Sequence, residues 1–126
     1  MSLFTEIEAA EKQIKETESR LNSIKDGLAS IEREIVLLSL KELALNDNLK
    51  ILRKNTGIVL ASEFKRSKED LNRTQTRMAM IRKDKESLEK AKAAALSFLA
   101  KSKEKLEELK ASEVNNVLDF KTKSTN

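Results

Sequence analysis

A chain of 126 residues with a formal net charge of +4 carries 37% charged and only 3% aromatic side chains, and it has no Pro, Cys, His, Trp or Tyr. The missing His and Cys remove the usual general acid/base, the usual thiol nucleophile and nearly every zinc or redox-metal ligand set, so neither an enzyme nor a cofactor site is expected. Leu, Ile and Ala set among Lys and Glu suit an elongated helical core, since the large rings that fill a compact one are scarce.

The amino terminus, Met1-Ser2-Leu3-Phe4-Thr5-Glu6, lacks a basic region followed by an apolar one and reads as the start of a mature chain, not as a secretory signal. From Leu3 to Leu52 the apolar residues then follow a seven-residue repeat, the seam of a left-handed coiled coil. One set is Ile7, Ile14, Leu21, Leu28, Ile35, Glu42 and Leu49. The other is Leu3, Ala10, Thr17, Ile24, Ile31, Leu38, Leu45 and Leu52. Only Thr17 and Glu42 are polar, which predicts a first helix over 3–54. Thr5 followed by Glu8 resembles a capping box, and Glu8 with Lys12, Glu11 with Lys15 and Glu16 with Arg20 have the spacing that supports an exposed helix face. Gly27 falls beside a seam Leu, where it weakens the helix by about 1 kcal/mol and marks a bend or a close helix contact.

Asn55-Thr56-Gly57, followed by the β-branched Ile58 and Val59, predicts a break and a loop over 55–61. Ser62 and Glu63 then look like the cap of a second helix over 62–112. Its seam is Phe64, Leu71, Met78, Ile81, Leu88, Ala95, Leu99, Leu106 and Leu109, with Ser67, Thr74, Lys85, Lys92 and Ser102 in the same register. Residues 113–126 lose the heptads and read as a partly disordered tail, although Val117, Leu118 and Phe120 form a small apolar group that could dock.

Two helices of this length joined by a short loop are expected to fold back as an all-α antiparallel hairpin, a rod of roughly 75 Å at 1.5 Å per residue. A turn near Ile58 places Leu21 against Ala95, Ala10 against Leu106 and Glu42 against Thr74; a turn one heptad earlier would pair Glu42 with Ser67 instead. The alternative is one uninterrupted helix in a parallel oligomer. Glu42 and Thr74 are read as the polar seam pair that sets register, because one polar seam residue fixes alignment at some cost in stability. A catalytic carboxylate needs a cleft that a two-helix rod does not enclose.

Two stretches are more apolar than one seam requires. Val36, Leu37, Leu40 and Leu43 in the first helix, with Leu96 and Phe98 in the second, are left over, and a helix apolar on several faces is normally buried on several faces. These six are the candidate contacts for a homo-oligomer, a four-helix or larger bundle, or for another helical protein. The apolar stretch 35–45 is interrupted by Ser39, Lys41 and Glu42 and falls short of the about 20 apolar residues of a membrane span. A soluble, cytoplasmic or otherwise intracellular protein is expected.

Charge is uneven. Residues 50–85 hold eleven Lys and Arg against four Asp and Glu, a balance of +7, so the rest of the chain sums to −3. Lys50, Arg53, Lys54, Lys65, Arg66, Lys68, Arg73 and Arg77 make one end of the hairpin basic and are candidate contacts for nucleic acid or another anion. A solvated helix surface is the favoured explanation for them, because no recognisable nucleic-acid module accompanies the patch and no aromatics are interleaved for base stacking. The chain resembles, in length and heptads, the coiled-coil hairpins of export-apparatus stalks, prefoldin-like chaperones and viral scaffolding proteins, although its loop is too short for the strands of the prefoldin type. The expected function is therefore an assembly, scaffold or adaptor subunit, with a basic helical nucleic-acid-binding or regulatory protein as the alternative and no small-molecule substrate.

Overall fold

The computed structural model describes the backbone of residues 2–54 and 58–124, and the side chains of residues 2–54 and 60–114. Two α-helices, α1 (Leu3–Arg53) and α2 (Ile58–Ser124), pack against each other as an all-α helical hairpin. Strong helix formers fill both, and no Pro interrupts them. Ser2 caps α1: its Oγ accepts the Thr5 backbone N–H at 3.2 Å, and its carbonyl accepts the Glu6 N–H at 3.1 Å. The expected Thr5–Glu8 box is thus corrected, since Thr5 is already the third helical residue and a hydroxyl three positions earlier meets its N–H. At the other end the Lys54 N–H reaches the Ile51 carbonyl at 3.2 Å, a tighter final turn of the 3₁₀ type.

The bounds of α2 differ from expectation at both ends. It begins at Ile58, ahead of Ser62, and continues to Ser124, past Ser112. Loss of the heptad seam removes tertiary packing but not helical propensity, and nothing after Gly57 is a strong helix breaker. Asn55, Thr56 and Gly57, where the break was expected, lie outside the described residues, as do the side chains of Val117, Leu118 and Phe120.

The hairpin divides into two compact units, Met1–Lys25 with Lys90–Asn126 and Asp26–Glu89. In the first, Ile14, Leu21, Ala95 and Leu99 form a buried cluster with Ile24 and Leu106 packed on it. Glu18 with Lys103 at 3.7 Å and Glu11 with Lys110 at 3.9 Å cross between the helices on its flank. The second unit buries Leu28, Leu49, Leu52, Met78 and Ile81, and Ile81 is the most enclosed at 1% exposure. The Asn48 side-chain amide donates to the Ser67 hydroxyl at 3.0 Å. That bond selects between the two expected registers. It brings Ser67 level with Asn48, six residues beyond Glu42, as the turn near Ile58 requires and the turn one heptad earlier does not.

Every expected seam position from Leu3 to Leu52 and from Phe64 to Leu109 is buried or half-buried. The polar ones are accommodated locally. Thr17 and Thr74 are buried, yet each hydroxyl donates at 2.8 Å to the carbonyl four residues earlier, of Gln13 and Asp70. Such back-bonding removes the desolvation penalty without a partner from the other helix.

Candidate protein-contact surface

The six apolar residues that the seam leaves over are all exposed. On α1, within the second unit, Val36 is 58%, Leu37 66%, Leu40 58% and Leu43 60% exposed. The cause is helical geometry. Ile31, Ile35, Leu38 and Leu45 point towards α2, and side chains one or two positions away along a 3.6-residue helix point elsewhere. Ala29, Glu32, Arg33, Val36 and Leu37 border a shallow depression on this surface. On α2, within the first unit, Leu96 and Phe98 are less exposed, at 44% each, and flank the buried Ala95 and Leu99. An exposed strip of this kind has one evident physical capacity, which is to exclude water against another apolar surface.

Glu42 was expected to be buried by register. It is half-buried, as are Glu34 and Asp70. With the Thr74 hydroxyl committed to its own helix, an uncharged side-chain contact between the helices of this unit is instead Asn48–Ser67. Sequence reasoning missed it because Asn48 lies off the heptad; an amide beside a seam Ser in the facing helix was the available signal.

All eight basic candidates are exposed, but several are already engaged. Arg77 donates from Nε and Nη2 to Glu34 Oε1 at 3.2 and 3.1 Å, and Arg73 lies 3.5 Å from Asp70 and 4.0 Å from Glu69. The Arg53 guanidinium and the Lys68 ammonium lie 5.8 and 5.9 Å from the centre of the Phe64 ring, close enough for cation–π attraction. Lys50, Lys54, Lys65 and Arg66 complete the set at the Arg53 end of α1 and the adjoining part of α2. Among the described residues no group of three or more acidic side chains is placed to hold a metal ion, and no helix is long and apolar enough to cross a membrane.

Compared with protein-family models, with curated proteins and with solved structures, the chain matches none.

Proposed function

We propose that this protein is non-enzymatic and serves as a coiled-coil assembly subunit, a scaffold or adaptor that binds helices of its own kind or of another protein. The observation that supports this most is the run Val36, Leu37, Leu40 and Leu43, each more than half exposed on a single helix. Fully burying an exposed side chain of this kind is worth about 1.5–3 kcal/mol, so these four, each still more than half exposed, together contribute several kcal/mol towards the cost of bringing two chains together. Isolated exposed leucines need no explanation, whereas a contiguous strip does. An intracellular setting suits a chain that uses no Cys.

Leu40→Glu and Phe98→Glu test the reading. Each is expected to lower the mass measured by sedimentation equilibrium at micromolar concentration while circular dichroism keeps its helical signal. An oligomer whose mass neither variant changes would overturn it.

A second reading has its own observation, the +7 balance of residues 50–85. Lys50, Lys54, Lys65 and Arg66 could neutralise a few phosphates, while Arg53, Lys68, Arg73 and Arg77 would first have to leave Phe64, Glu34, Glu69 and Asp70. Binding through so few contacts is weak and salt-dependent. A gel shift at about 50 mM salt with DNA and RNA of several lengths decides it, and no shift ends the reading.

A further inference from the structure

We propose that α1 carries a second, self-complementary seam through which two copies of this chain pair antiparallel, about a two-fold axis at Leu40. The proposal rests on the assembly reading above and names its partner and geometry. Ala29, Val36 and Leu43 recur every seven residues, and so do Arg33, Leu40 and Asp47. These two rows are a heptad seam in their own right. Leu40 stands about half a turn around the helix from the middle of the seam Ile31, Ile35, Leu38, Glu42 and Leu45 that faces α2. The exposure pattern agrees, with the first set open to solvent and the second half-buried. A second copy can therefore approach the outer side of α1 without displacing α2.

Charge decides who that partner is and which way it runs. Arg33 lies seven residues before Leu40, and Asp47 lies seven residues after it. In an antiparallel pair centred on Leu40, Arg33 meets Asp47 of the second copy, Val36 meets its Leu43 and Leu37 meets its Ala44. On one flank Glu32 lies within about 3 Å, two residues along the helix, of the level of Lys50 of the second copy. Symmetry makes each contact twice, so the same strip supplies both halves of the interface. Parallel pairing would set Arg33 against Arg33 and Asp47 against Asp47, which is repulsive. Neither Arg33 nor Asp47 forms an ion pair with another described residue of its own chain, so both are available.

The test is charge reversal on the full chain, read by sedimentation equilibrium at low salt, where exposed charges are least screened. Arg33→Asp and Asp47→Arg are each expected to weaken dimerisation by on the order of tenfold, since two attractive pairs become repulsive. The double variant restores wild-type affinity, a rescue that parallel pairing cannot give. Circular dichroism checks that these substitutions at exposed helical positions leave the fold intact. Independently, since the chain contains no Cys, Val36→Cys and Leu43→Cys chains are mixed under a mild oxidant. Disulfides between unlike chains are expected to predominate. An oligomer whose mass ignores both charge reversals and whose thiols join like with like overturns this pairing and leaves the assembly reading standing. A wild-type chain that stays monomeric overturns both this pairing and self-assembly.

Discussion

Gly27 is half-buried. It lies inside α1 with no left-handed backbone to require it, and a Cβ built there would meet Leu88 Cδ1 at 3.4 Å, an ordinary contact with the end of a flexible side chain. The close helix contact expected from sequence is therefore with a side chain, which can yield, and not with the backbone of α2. Gly27→Ala removes the conformational freedom of the unfolded glycine and adds a methyl to a half-buried position, so we expect stabilisation by about 0.5–1 kcal/mol. Chemical denaturation would show a higher midpoint with an unchanged slope. A lower midpoint would mean that Leu88 cannot move aside. Thr17 and Thr74 teach the complementary lesson, because polar seam residues that bond their own helix carry little information about what faces them.

At the scale of the helices, register depends on side chains that speak across the gap. Asn48 and Ser67 do so directly, and Ser67 is 9% exposed, so losing its partner leaves a nearly buried hydroxyl poorly satisfied. Asn48→Ala should destabilise by about 1 kcal/mol, while the double variant with Ser67→Ala should cost less than the sum of the single changes. A double-mutant cycle in urea measures the difference, and strict additivity would deny the bond a role. The seam itself was legible throughout, because a heptad repeat and burial against one neighbouring helix are the same geometric statement. So were the leftover residues Val36, Leu37, Leu40 and Leu43, by subtraction. The ends of α2 were not, since helical propensity extends beyond the seam that makes a helix visible in sequence. The cap at Ser2 was overlooked for Thr5 because both offer a hydroxyl, and only the path of the backbone separates them. Likewise the engagement of Arg77 by Glu34 follows from which flanks face each other, and a one-chain charge count does not contain that.

For the whole molecule the question is whether stability belongs to one chain or to an assembly. The cross-helix ion pairs Glu11–Lys110, Glu18–Lys103, Glu32–Lys85 and Glu34–Arg77 are 3.1 to 4.0 Å long and, apart from the half-buried Glu34 and Lys85, largely open to solvent, and such pairs contribute little each. Half-buried Ile31, Ile35, Leu38 and Leu45 along much of the α1 seam also indicate that a single hairpin does not cover its apolar side chains completely. If association supplies the remainder, folding is linked to protein concentration, because a second copy stabilises only the folded state. The thermal midpoint should then rise by a few degrees for each tenfold increase in concentration, as a tenfold change is worth about 1.4 kcal/mol. Leu40→Glu should abolish that dependence, by placing a charge at the centre of the exposed strip, while lowering the midpoint at high concentration more than at low. Calorimetry from micromolar to hundreds of micromolar chain separates the cases. A concentration-independent midpoint in the wild type would make the hairpin stable on its own and reserve its exposed strip for a foreign helix.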